Sequence, residues 1–130
     1  MNEYIKLKMR SFVDHCEYNF EEGNYGDELD ILRLFLVEAD FKDFMSNFDK
    51  KSFGIQTEFV DAEWSHKDNC VELCRLLSSD GKESFTMKFD NFKKMIEDWA
   101  ALEKKRVPEI YFIMDDEGSI TVRDSLEEKK

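Results

Sequence analysis

The chain is poor in the residues that break regular structure. It holds one proline and five glycines in 130 residues. Long irregular loops are therefore excluded, and regular elements must fill most of the length. A glycine-rich phosphate cradle is excluded too, and neither HExxH nor GxSxG occurs. Cysteine is scarce and odd in number: Cys16, Cys70 and Cys74. That pattern reads as free thiols, not as a disulfide framework. No apolar run has the length of a membrane span. The most apolar stretch, Ile31 to Val37, is interrupted by Arg33 and bounded by Asp30 and Glu38. The N-terminus lacks the apolar core of a signal peptide, so the expectation is a chain that starts at Met1 and works in the cytoplasm.

What is present is apolar surface and acid. Hydrophobic residues make up 42% of the chain and include 12 phenylalanines, enough for one domain spanning 1–130. The formal charge is −11. Such a protein repels nucleic acid and anionic membranes, and it attracts a basic partner. The acid is unevenly placed. From Asp14 to Asp49 there are eleven carboxylates against only Arg33 and Lys42, a net of −9. A solvated helix face accounts for any one of these residues; their clustering points to a binding surface. The candidate partner-binding residues are Glu17, Tyr18, Glu21, Glu22, Tyr25, Asp27, Glu28, Asp30, Glu38, Asp40 and Asp43. Carboxylates steer the approach of a basic partner, and the two tyrosines offer anchoring area.

Residues 2–20 satisfy two periods. Ile5, Leu7 and Met9 alternate as in a strand. Ile5, Met9, Phe12, Val13, Cys16 and Phe20 share a helical face over a longer run, which predicts a helix from Asn2 to Phe20. Glu21 to Gly26 then connects it to a second helical region, Asp27 to Phe48, with a break near Asp40. Strands are predicted from Gln56 to Val60, continuing less clearly to Trp64, and at Cys70 to Leu77. A turn at Ser78–Gly81 leads to a strand at Ser84–Phe89. Asp90 is placed as the N-cap of a helix carrying Phe92, Met95, Ile96, Trp99 and Leu102 on one stripe, which Pro108 closes. Ile110–Met114 and Ile120–Val122 form a closing hairpin around Gly118. The order α-α-β-β-β-α-β-β reads as α+β. A helical hairpin within an acidic helical part, 1–53, precedes a mainly antiparallel five-stranded sheet with one inserted helix, 54–124. Residues 125–130 form a frayed tail. The edge at Ile120–Arg123 offers pairing to another chain, so the expected state is monomer or weak dimer.

Few constellations carry chemistry. His66, Cys70 and Cys74 are spaced by four, but structural zinc takes four ligands, and Asp61 or Asp68 would have to complete the set. His15 adjoins Cys16, but neighbouring helical residues point about 100° apart, so the imidazole does not activate the thiol. Paired acids at Asp61/Glu63 and Asp115/Asp116 are too common to discriminate. No catalytic residue, metal or cofactor is assigned, and the chain is expected not to be an enzyme.

Four runs carry a resemblance: Phe89-Asp90-Asn91-Phe92, Ile96-Glu97-Asp98-Trp99, Pro108-Glu109-Ile110-Tyr111, and Asp115-Asp116-Glu117-Gly118-Ser119-Ile120. This third of the chain resembles the C-terminal half of small immunity proteins from bacterial polymorphic-toxin and contact-dependent growth inhibition systems. The resemblance implies a small acidic cytosolic protein that binds and blocks a cognate toxin, often a nuclease. The matching positions determine fold, so the interface residues above rest on charge alone. Three other readings remain: an acidic nucleic-acid mimic blocking a host or phage protein, a small enzyme or metal-binding domain around His66, Cys70 and Cys74, and a structural adaptor.

Overall fold

The computed structural model describes residues 3–75 and 84–126. Eight strands and three helices follow in the order β1 (Glu3–Ser11), β2 (Cys16–Asn24), α1 (Asp27–Glu38), α2 (Phe41–Met45), β3 (Ser52–Gln56), β4 (Val60–Ser65), β5 (Cys70–Arg75), β6 (Ser84–Lys88), α3 (Phe89–Lys104), β7 (Glu109–Met114) and β8 (Ile120–Arg123). They form two antiparallel four-stranded sheets, ordered β2-β1-β7-β8 and β3-β4-β5-β6.

This architecture corrects two expectations. The first 24 residues are a β-hairpin, not the first arm of a helical hairpin, so the acidic N-terminal part is only half helical. The strands divide into two sheets of four, not one of five. The physical reason lies in β1. Ile5 and Leu7 are buried on one face while Lys6 and Lys8 point the other way, and β1 pairs with β7 from Glu3↔Met114 to Lys8↔Glu109. That long-range pairing supplies the backbone partners that let the two-residue period prevail over the longer helical stripe. The β1–β2 turn closes with the Phe12 N–H donating to the His15 carbonyl at 2.8 Å. Among the described residues the only non-glycine positive-φ positions are Asn69 and Arg106, so this turn carries no glycine or asparagine signature.

Smaller corrections follow. The run 56–60 is not one strand: a turn at Thr57–Phe59 separates β3 from β4. The Thr57 hydroxyl makes that turn, donating to the Val60 carbonyl at 2.7 Å and accepting from the Val60 N–H at 3.1 Å. Asp90 is not a cap; Lys88 holds that position, and Asp90 lies in the first turn, where its charge suits the helix dipole. The predicted turn at Ser78–Gly81, the end of β5 at Leu77 and most of the tail lie outside the described residues. The break near Asp40 separates α1 from α2, with the Asp40 carboxylate accepting from the Lys42 N–H at 2.9 Å.

The helices hold the sheets together. α1 packs against β1 and β2 of one sheet and β4, β5 and β6 of the other, and α3 packs against β8 and against β5 and β6. Burial of Leu29, Ile31, Leu32, Phe35 and Leu36 spreads widely around α1, as a helix between two sheets requires. The phenylalanines fill this junction. Phe44 stacks edge-on against Phe35 at 5.2 Å and Phe92 at 5.6 Å, and Trp64 lies 5.9 Å from Phe92. Each sheet therefore keeps one outer face free of helices.

Candidate functional site

The acidic segment does not form one surface. β2 runs along the edge of the first sheet, and its acids fold back onto a cation. Lys6 on β1 contacts Glu21 at 3.0 Å, Glu22 at 3.6 Å and Glu109 on β7 at 2.7 Å. A bulge creates this arrangement: Lys6 faces Glu22 and Leu7 faces Phe20, leaving Glu21 as the extra residue. The three carboxylates drive the Lys6 ammonium far above its usual pKa, chiefly through hydrogen bonds to Glu109 and Glu21. In return, Lys6 holds Glu21 and Glu109 below the usual carboxylate range.

The two tyrosines are taken up by the fold. Tyr18 donates its hydroxyl to the Val107 carbonyl at 2.6 Å, and burial pushes its pKa up. Tyr25 packs edge-on against Phe20 and lies so close over Gly23 that a Cβ there would meet its ring. Glu17 lies beside the hairpin tip, where His15 contacts Asp14 at 2.6 Å and Glu17 at 3.1 Å. These two carboxylates raise the His15 pKa above its ordinary value. Phe12 stacks on the His15 ring at 4.8 Å, and Phe12 and Val13 stand exposed.

Along α1 the remaining acids separate. Asp27 opens the helix. Glu28 lines an open cavity with Glu3, Asp115, Asp116 and Glu117. Asp30 is held by Arg33 at 2.8 Å and Arg75 at 3.7 Å. At the far end Glu38 accepts from the Glu58 N–H at 2.7 Å, Asp40 caps α2, and Asp43 is exposed. Asp40 lies near half-buried Glu103, whose pKa is raised first by burial and then by that charge.

The second sheet presents a different acidic face, which the Asp14–Asp49 window misses. Alternation turns Val60, Ala62, Trp64, Val71 and Leu73 inward. It leaves Asp61, Glu63 and Glu72 outward, in rows set by the pairs Gly54↔Glu63↔Glu72 and Gln56↔Asp61↔Cys74. Among the described residues no ion pair holds Asp61, Glu63 or Glu72, and the Asp61 Oδ1 atom is buried without a hydrogen-bond partner. Three acids spaced along adjacent strands gave only a weak signal in sequence, because their proximity depends on strand register.

His66, Cys70 and Cys74 are not brought together. His66 sits in the β4–β5 turn, its ring bonded to the Phe48 carbonyl at 2.9 Å and packed 4.4 Å from Phe89. Cys70 and Cys74 lie at opposite ends of β5, roughly 13 Å apart along an extended strand. Among the described residues no three His, Cys, Asp or Glu side chains converge as metal ligands. Burial, the Glu72 hydrogen bond and nearby carboxylates push the Cys74 thiol up to about 11, and burial raises Cys70 as well. Both thiols are protonated near neutrality and poor nucleophiles.

Asn91 lines the broadest cavity, about 540 Å³, but its carboxamide is bonded to the Ile120 backbone. No described helix is long and apolar enough to cross a membrane. No protein-family model, curated protein or solved structure matches the chain.

Proposed function

We propose that the chain is a non-enzymatic immunity protein of the bacterial cytoplasm that binds and neutralises a basic toxin domain, a nuclease in the leading form of the reading. The observation that carries it is uncompensated acid. The chain bears −11, and its ion pairs involve Lys6, Lys8, Arg33, Arg75 and Lys94 while Asp43, Asp61 and Glu63 remain unpaired among the described residues. A field of that sign accelerates encounter with a cationic partner and disfavours anionic ones. The protonated thiols and the scattered His66, Cys70 and Cys74 favour binding over nucleophilic or metal chemistry. The likeness of residues 89–120 to immunity proteins supports the same class.

The test is co-expression with the basic polypeptide encoded by the neighbouring gene, followed by titration of the purified pair at low and high salt. The reading expects rescue of growth, a 1:1 complex and affinity that falls steeply with salt. A neighbouring product that is harmless to cells, or a complex indifferent to salt, would overturn it. Capture of a nucleic-acid-binding host protein in place of a toxin would favour the mimic reading.

A further inference from the structure

The first edge strand of the second sheet is open for pairing. The Thr57 N–H donates to the Val60 carbonyl at 3.0 Å, and the His66 N–H donates to the Lys51 carbonyl at 2.8 Å. In an antiparallel ladder the bonded residues alternate. Phe53 and Ile55 therefore face β4, and the N–H and C=O groups of Ser52, Gly54 and Gln56 point away from the sheet. These three residues are exposed, and β3 pairs with β4 alone among the described strands.

The other edges carry protection that β3 lacks. β2 has a bulge and the charges of Glu17, Glu21 and Glu22. β6 ends in Lys88 and β8 in Arg123. On β8 the outward Ile120 groups are already taken by Asn91. The sequence Ser52-Phe53-Gly54-Ile55-Gln56 has no charge, no proline and no bulge.

The face beside this edge is acidic and hollowed. A Cβ on Gly54 would stand 3.6 Å from the Glu63 Cβ, ordinary contact, and Gly54 has no positive φ. Neither crowding nor backbone conformation requires glycine there. Its bare surface opens a cavity of about 290 Å³ bordered by Gln56, Asp61, Glu63 and Cys74.

We propose that β3 accepts an extended segment of the basic partner as a fifth antiparallel strand, with its arginine or lysine side chains crossing Gly54 to reach Glu63 and Asp61. Opposed residues in a ladder share a face, so the side chain opposite Gly54 emerges over the acidic floor. Glu63 lies two strand spacings away, roughly 10 Å, and an arginine and a glutamate side chain bridge that gap together. Backbone bonds give affinity, and the alternate basic side chains give specificity. The inference rests on the basic-partner reading and names the site within it.

The probe is a capped seven-residue peptide alternating threonine and arginine, titrated into isotopically labelled full-length protein. We expect saturable shifts at Glu63 and slowed amide exchange at Ser52, Gly54 and Gln56. Gly54→Pro removes an outward N–H without touching the β3–β4 ladder and should abolish binding. Glu63→Gln, which preserves the fold independently, should weaken it about tenfold. Replacing arginine with glutamate in the peptide should eliminate it. Shifts confined to α1, α2 and β2 would overturn this site while leaving a basic partner in place, as would an intact toxin complex formed by both variants. Absence of saturable binding overturns it as well, and if the neighbouring polypeptide also fails to bind, the basic-partner reading falls with it. Protection of the β3 amides that grows with protein concentration without peptide would assign the edge to a second copy instead.

Discussion

Asn91 and Ile120 are joined by two hydrogen bonds. The Asn91 Nδ2 donates to the Ile120 carbonyl at 2.8 Å, and the Ile120 N–H donates to the Asn91 Oδ1 at 2.8 Å. One side chain from the first turn of α3 thus occupies both outward backbone groups of an edge-strand residue. The pair ties the helix to β8 and closes the strand edge that sequence marks as available at Ile120–Arg123. Asn91→Ala should destabilise the fold by about 2 kcal/mol, since it leaves two half-buried backbone groups without partners. It should also promote self-association through β8. Urea denaturation measures the first effect and sedimentation at rising concentration the second.

Phe44 stands at the centre of the aromatic junction, 1% exposed and packed against Phe35, Phe92 and Trp64. Phe44→Ala should cost about 3–5 kcal/mol through lost burial and a cavity. Val13→Ala at the exposed hairpin tip should change stability by less than about 0.5 kcal/mol. Equal losses at the two positions would contradict the core assigned here.

Acid stability should follow the Lys6 cluster. Glu21 and Glu109 have folded pKa values below the ordinary carboxylate range. Their contribution is complete above that range and is lost as pH falls through the depressed values. Lys6→Met should therefore flatten the acid limb of a stability-versus-pH curve. Glu103 works in the opposite sense. Its raised pKa makes ionisation unfavourable in the folded state, a penalty absent at low pH and complete once pH exceeds the folded value. Glu103→Gln should stabilise the protein at neutral pH and make no difference in acid.

The His15 pKa, raised by Asp14 and Glu17, is readable by NMR titration. Its stabilising effect is fully present below the ordinary imidazole pKa and lost as pH rises through the raised one. Asp14→Asn should bring the titration back toward the ordinary value, and an unchanged midpoint would rule out the observed contact as its cause.

Cys74 should resist alkylation at neutral pH, its reactivity climbing only as pH nears about 11. Glu72→Gln removes a hydrogen bond and a negative charge that both raise that pKa. The variant should react faster at any given neutral pH, as mass spectrometry of the modified peptide would show.

Much of the fold's second half was legible in sequence because its signals are local. The stripe Phe92, Met95, Ile96 and Trp99 gives one helix face whatever lies against it, and all four are buried. The turn before Gly118, which takes φ of +86°, needs no distant contact to explain it. Asp40 marks a helix start through its own side chain. The candidate surface was less legible. Net charge and clustering in sequence were visible, but Glu21, Glu22 and Asp30 turn out to be engaged by cations, while Asp61 and Glu63 are not.

Sequence by itself determined the composition-level properties: the acid excess, the aromatic core material, the scarcity of breakers, and the helices whose periodicity is unambiguous. Tertiary structure decided the state of residues 3–24, which satisfy two periods. Lys8 meets Glu109 and Glu3 meets Met114 across most of the chain. No local pattern encodes a pairing that distant, and the chain forms it only when closing so long a loop is offset by backbone bonds and burial. The same dependence on register placed Asp61, Glu63 and Glu72 on one face and left the Ser52–Gln56 edge beside them open.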